Sequence, residues 1–263
     1  AELTEEKSAE FHEKWVVGYG DASVADMAII AIALEGVSIL ASKAVEDNRL
    51  ASYQEKSTRY VPFNSENFMR PAHVIESGLG EIYLQTVTAL MKGYEEIVQK
   101  VIAYYRAQYP KPSELADKPY EARLRARALD VARYVLPTAT FTNFGMIMSA
   151  RSLRHCISKL LGSPLKECQE IGHEIQRAAT EPAYNPQAVT VEPLLHELEI
   201  IGGRAAELVA QLKKVINLQV KGAPTLIKHT EPQDYMTKKD AIMRAFVAQY
   251  FSGVTSNQDP SRV

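Results

Sequence analysis

The 263-residue chain carries 30 Lys and Arg against 32 Asp and Glu, a formal net charge of −2, and 46% of its residues are hydrophobic. That balance can fill a core without staples, and it offers no broad basic field for nucleic acid, so an anionic ligand must be caught by a local cluster. Cys156 and Cys168 are the only cysteines, too few for a disulfide framework and without C-x-x-C spacing, which points to a reducing cytoplasm. The longest apolar run, 27–34, is shorter than the ~18–20 residues of a membrane span, and the acidic start (Glu2, Glu5, Glu6) is unlike a signal peptide. Neither export nor a membrane span is expected.

From Ser23 to about Asp47, apolar residues at Val24, Met27, Ala28, Ala31, Leu34, Val37, Ala41 and Val45 follow helical spacing. A buried helix is predicted there, entered by a Ser23-to-Asp26 capping box. A central strand over 29–34 is the alternative, because that run is apolar on all sides. Between Arg49 and Met69 the pattern turns polar and extended, and Pro62 with Asn64-Ser65 marks a loop. Tyr83, Val87, Leu90, Tyr94, Ile97, Val101 and Tyr105 step by four and three, which predicts a long amphipathic helix ending before Pro110. A second, Arg-rich helix is expected from about Tyr120 to Leu136, stopped by Pro137. An apolar stretch over 141–161 ends at Gly162-Ser163-Pro164, and Leu165 to Ala179 reads as a further helix. Leu194 to Val220, interrupted at Gly202-Gly203, and Lys238 to Phe251 complete the inventory.

The densest polar cluster runs from Arg49 to Tyr60 and interleaves Arg49 and Arg59 with Ser52, Ser57, Thr58 and Glu55. Arg forks match phosphate bidentately, hydroxyls donate to its oxygens, and a Glu accepts from a base or sugar. A solvated loop with incidental ion pairs is the plainer alternative. Arg151 and His155 lie four apart and so share a helix face. Arg133, among Val131, Tyr134 and Val135, needs an anionic partner if buried. The remaining His residues are scattered without ligand spacing, so no metal is expected. Glycine-rich nucleotide loops and a G-x-S-x-G elbow are absent from the sequence.

Arg49, Ser52, Glu55, Ser57, Arg59 and Tyr60 resemble the signature R-H-R-x-x-S-x-N-E-x-S-x-R-Y of the flavin-dependent thymidylate synthases. The resemblance extends over about Gly18 to Ala179. Ser23-Val24-Ala25-Asp26-Met27 is similar to the family's S/T-x-x-E-H. Arg133-Tyr134-Val135-Leu136-Pro137 resembles R-x-x-L-P, and 149–155 resembles N-x-R-S-L-x-N/H. The chain departs from the pattern at Asp47 and Asn48 (family Arg and His), Gln54 (Asn), Asp26-Met27 (Glu-His) and Ser149 (Asn). Leu160 falls where the family places the Arg that polarises the uracil ring, with Lys159 the nearest cation.

The resemblance implies an α+β, predominantly helical fold with a small central sheet surrounded by long helices. It implies one domain over 1–263, with one half of a longer two-domain chain as the alternative. The reaction would methylate dUMP to dTMP, with methylenetetrahydrofolate as carbon donor and NADPH-reduced FAD as hydride source, in a homotetramer or dimer. Ser23, Arg49, Arg151 and His155 would contact FAD, while Glu55, Ser57, Arg59 and a neighbouring chain's Arg133 would hold dUMP. No catalytic residue is assigned, with Lys159 a candidate substitute for the missing cation. A non-catalytic homologue that binds flavin or nucleotide, or a structural partner domain, is the other reading that Leu160 and Asp47 leave open.

Overall fold

The computed structural model describes residues 7, 10–11, 13–14, 22–181, 186–215, 224–227 and 230–256. The fold is α+β and predominantly helical, with one three-stranded sheet in the order β1-β3-β2. Here β1 is Ile29–Ser38, β2 is Ser52–Glu55 and β3 is Phe141–Ser149. The chain divides into two compact units, residues 31–147 and residues 1–30 with 148–263, whose boundaries fall within β1 and β3.

The single helix expected over 23–47 is corrected to a 3-10 turn (Ala22–Asp26), β1, and α1 (Ile39–Glu46). The strand alternative for 29–34 is the one observed. Ile30 and Leu34 are buried, and then Val37, so the inward set changes parity at Gly36. Gly36 has φ +64°, open to glycine at little cost, and its N–H donates to Asn143 Oδ1 at 2.8 Å. That shift produces a three-residue step that imitates helical spacing. The capping-box expectation at Ser23 and Asp26 is also corrected, because the real N-cap is Ser38, whose hydroxyl accepts from Ala41 N at 3.0 Å.

In the 31–147 unit, β2 pairs antiparallel with β3, placing Gln54 opposite Gly145 and Glu55 opposite Phe144. β3 alternates strictly, with Thr142, Phe144, Met146 and Met148 buried. The helix expected over 83–105 is α2, Gly80–Gln108, ~43 Å long at 1.5 Å per residue. It begins hard against the preceding turn: a Cβ on Gly80 would stand 2.1 Å from the Ile75 carbonyl oxygen, so no other residue fits. The helix α3 spans Asp117–Ala132, and a 3-10 turn, Arg133–Val135, continues it towards Pro137. Met91, Tyr94 and Val98 of α2 close over Ala128, Leu129 and Ala132 of α3, with Phe63 and Phe68 filling the remainder.

In the other unit, the stretch 141–161 resolves into the end of β3 and α4, Ala150–Leu161. The helix α5 is Lys166–Thr180. Gly172 lets it approach α4 closely, since a Cβ there would lie 3.2 Å from Leu160 Cβ and 3.1 Å from Leu161 Cδ2. Gly202 and Gly203, both at positive φ, separate α6 (Pro186–Ile201) from α7 (Gly203–Val215). The expected continuation to Val220 lies outside the described residues, as do His12 and His229. The last described helix is α8, Asp234–Ser256. Among the described residues, no helix is long and apolar enough to cross a membrane.

Cys156 and Cys168 are fully buried in α4 and α5, and burial pushes the Cys156 thiol up to about 12. A thiolate is the reactive species. Neither thiol should therefore react with an aromatic disulfide reagent in the native protein at pH 8, and both should react in 6 M guanidinium. Rapid titration of either one without denaturant would contradict this packing.

Candidate functional site

The polar segment after α1 is tied down at its base. Glu55 ends β2, and its Oε1 accepts from Ser42 Oγ of α1 at 3.0 Å and from Thr142 Oγ1 of β3 at 3.1 Å. Three elements therefore fix this carboxylate, and Oε2 takes no hydrogen bond from a described residue. Lys56 N donates to the Asn143 carbonyl at 2.9 Å, and its ammonium sits 4.4 Å above the Phe63 ring. The chain then turns over Ser57, whose hydroxyl accepts from Arg59 N at 3.2 Å while its carbonyl accepts from Tyr60 N and Val61 N. This turn projects Arg59 back towards α3.

There Arg59 meets Asp130 and Arg133. Arg59 Nε lies 3.0 Å from Asp130 Oδ1, and Arg133 Nη2 lies 3.1 Å from the same oxygen. Arg133 Nη1 donates to Thr58 Oγ1 at 3.4 Å. Asp130 Oδ1 is buried, and neither guanidinium N–H is aligned to donate to it, so it is held by charge without a directed hydrogen bond. Two cations converge on one anion, and most of their donors remain unspent. A tetrahedral dianion brought to this place can take directed bonds from both forks. Glu55, Ser57, Arg59 and Arg133 are thus all in this one unit, and the anion that Arg133 requires is supplied by Asp130 of the same chain. Asp130 was absent from the sequence-based list, although an Asp three residues before Arg133 in a helix is a recognisable pairing signal.

The second cluster lies in the other unit, at the first turn of α4. Ser149 caps that helix, its hydroxyl accepting from Ser152 N at 3.2 Å and standing 3.2 Å from both Asp26 Oδ1 and Ser152 Oγ. Arg151 Nη1 donates to Asp26 Oδ2 at 2.9 Å. Arg151, Arg154 and His155 are all exposed, as is Ser23 in the 3-10 turn that carries Asp26. The cluster holds anion-binding residue types, two hydroxyls and two guanidinium groups at a helix N-terminus, and a diphosphate such as that of FAD would compete there with the Asp26 carboxylate for Arg151 and Ser149. Arg49, in the first unit, is exposed and makes no ion pair with a described residue.

The positions where the chain departs from the family signature have definite surroundings. Asn48 is buried, and its amide donates to the Val45 carbonyl at 2.7 Å, while Tyr53 Oη donates towards the carbonyls of Val45 and Asn48. Its side chain is committed to the end of α1 and cannot serve as the family His would. Leu160 is 3% exposed and packs in the core of its unit; Lys159 is half-buried. Among the described residues, no group of three or more His, Cys, Asp or Glu side chains could hold a metal ion.

Comparison with known proteins bears on these clusters. The model of the thymidylate synthase complementing protein family matches residues 1–183, and the chain belongs to that family. A UPF0159 protein of Chlamydia pneumoniae is 36% identical over 175 residues, covering 64% of this chain and 33% of that protein. A UPF0159 protein of Thermoplasma acidophilum is 27% identical over 282 positions, 97% of this chain and 56% of that protein. The flavin-dependent thymidylate synthase of Thermococcus kodakarensis is 29% identical over 174 residues, 66% of this chain and 60% of that protein. The chain thus spans between a third and three fifths of the length of these relatives.

Two outcomes follow from this electrostatic arrangement. The Arg59 and Arg133 side chains are 55% and 33% exposed, so solvent screens their pairing with Asp130. Asp130→Asn is expected to change the urea unfolding free energy by no more than about 1 kcal/mol. A loss above about 3 kcal/mol would mark a buried ion pair instead. Glu46, at the end of α1, has its carboxyl raised above the usual range by burial and then by the nearby Glu55. A raised folded value means that the charged form is disfavoured in the native state, so this cost appears as pH rises through that value and vanishes below the unfolded one. Glu46→Gln should raise the thermal midpoint at pH 8 and leave it unchanged at pH 3.5. An equal shift at both pH values would refute the electrostatic cause.

Proposed function

We propose that the chain binds dUMP and FAD and contributes to the flavin-dependent methylation of dUMP to dTMP, with methylenetetrahydrofolate as carbon donor and NADPH as reductant. The observation that carries this reading is the convergence of Arg59 and Arg133 on Asp130, with most of their N–H donors unspent, beside Ser57 and Glu55. In it, Arg59, Arg133 and the Ser57 hydroxyl hold the nucleotide phosphate, and the free oxygen of Glu55 accepts from the sugar or base. Arg151, with the α4 N-terminus, His155 and Ser23, holds the flavin nucleotide. FAD bound there would supply the hydride that completes the methyl group. The working form is a homo-oligomer, a tetramer or a dimer, in the cytoplasm.

One observation favours a second reading. Leu160 is buried and apolar where the resemblance asks for a cation, and it cannot stabilise negative charge developing on a pyrimidine. Under that reading the chain binds nucleotide or flavin without turning over, its chemistry being supplied elsewhere.

Calorimetry with dUMP tests the binding claim. Arg59→Ala removes charge-assisted hydrogen bonds worth roughly 1.5–3 kcal/mol, so affinity should fall about ten- to a hundredfold. A parent protein that takes up no dUMP would overturn both readings of this cluster. Tritium release from labelled dUMP, with FAD and folate supplied, then separates them. Loss of one preorganised donor costs about 10²–10³ in rate, so dUMP binding with release at least a hundredfold below that of the Thermococcus relative supports the Leu160 argument. Release matching that relative, abolished by Lys159→Ala, would instead assign the missing charge to Lys159.

A further inference from the structure

A cavity of about 840 Å³ opens in the 31–147 unit between the C-terminal end of α2, the loop after it and one face of α3. None of the proposed roles uses it. Its volume is that of a small-molecule site. The aromatic side chains Tyr60, Tyr109 and Tyr120 line it together with Leu115, and Arg123 and Arg127 of α3 join them. No carboxylate is among the lining residues.

Both guanidinium groups are available. Arg127 lies over the Tyr109 ring at 5.0 Å and the Tyr105 ring at 5.7 Å, which orients its plane without neutralising its charge. Arg123, one turn earlier on the same face, makes no ion pair with a described residue. The acids of α3 are already taken, Asp117 by Lys111 at 2.6 Å, Glu121 by Arg106 at 2.7 Å and Asp130 by Arg59 and Arg133. The cavity wall is also held in shape, because Tyr120 Oη donates to the Tyr109 carbonyl at 2.7 Å. Stacking surface and uncompensated positive charge therefore meet in one concave place.

We infer that this cavity is a second binding site, for a small planar aromatic molecule bearing one anionic group, with the ring against the tyrosines and the anion on Arg123 and Arg127. The apolar lining supplies affinity for the ring, and the two arginines select the charge. Occupancy is independent of dUMP, so a protein that fails to bind dUMP still gives the result below.

The test uses two dyes that differ in one group, 8-anilinonaphthalene-1-sulfonate and uncharged N-phenyl-1-naphthylamine, titrated by fluorescence into the full chain. The sulfonate should bind at least about fivefold more tightly, as expected for two partly exposed charge contacts. The R123Q/R127Q double variant should lose that preference while still binding the uncharged dye. Ala126→Trp, which puts an indole into the cavity, should abolish binding of both with an unchanged thermal midpoint, and Leu115→Trp on the facing loop serves the same purpose if Ala126→Trp does not fold. Equal affinity for the two dyes would overturn the inference, as would full sulfonate binding by the filled variants. So would loss of dye binding only together with dissociation of an oligomer, which would make the occupant a second copy of the chain.

Discussion

Asp130 holds two guanidinium groups against one buried carboxylate oxygen, and two separate parts of its unit must be in place for them to meet. Two like charges would separate if left to themselves, although solvent holds the repulsion between these part-exposed groups to about 1 kcal/mol. A shared anion offsets this. Because the N–H groups are not aligned to Oδ1, the anion gathers the cations without consuming their directed donors. A ligand phosphate can then be met by groups that are already assembled, which reduces the ordering that binding would otherwise require.

Two independent constraints aim the participants. Asp130 and Arg133 are placed by helix packing: Ala128, Leu129 and Ala132 face α2, which turns Asp130 and the following 3-10 residue out of that contact. Arg59 is placed by the sheet. Glu55 is clamped by hydroxyls from α1 and β3, Lys56 is bonded to Asn143, and the turn over Ser57 occupies the few residues between those anchors and Arg59. The polar network around Glu55 is therefore structural, and the Glu46 carboxyl nearby is raised first by burial and then by Glu55.

How much of this could be read from the sequence depended on whether a residue's role is local. The helices with sustained three-and-four spacing, α2, α3 and α5, were legible because many residues repeat the same periodicity. β1 was misread for a local reason as well, since Gly36 moves the buried positions by one residue and so mixes the strand period with the helix period. β2 carries no strong pattern over four residues, and its existence depends on pairing with β3 across ninety positions. At the candidate site, the phosphate-type residues were legible from chemistry and from resemblance to a known signature. The pairing of Asp130 with Arg133, three residues on, was within local reach, but its meeting with Arg59, seventy-one positions away, was not, because no local window contains both.

Binding a phosphate and polarising a pyrimidine place different demands on a fold. Holding a phosphate requires charge of the right sign within a few ångströms, a tolerant demand that several arginine arrangements meet, and the residues of that type are present. Polarising a pyrimidine ring requires one donor at one place, aimed where charge develops, and an apolar residue there supplies nothing. Leu160 lies in the packed face of α4 against Gly172, with its neighbours closed to within ordinary contact. Replacing it with Arg would bring a guanidinium into a packed, buried position at a desolvation cost. Asn48 is committed in the same way, by its bond to Val45. Both departures are part of the packing of their units, so the arginine cluster around Asp130 and the apolar residue at 160 are separate properties of this fold.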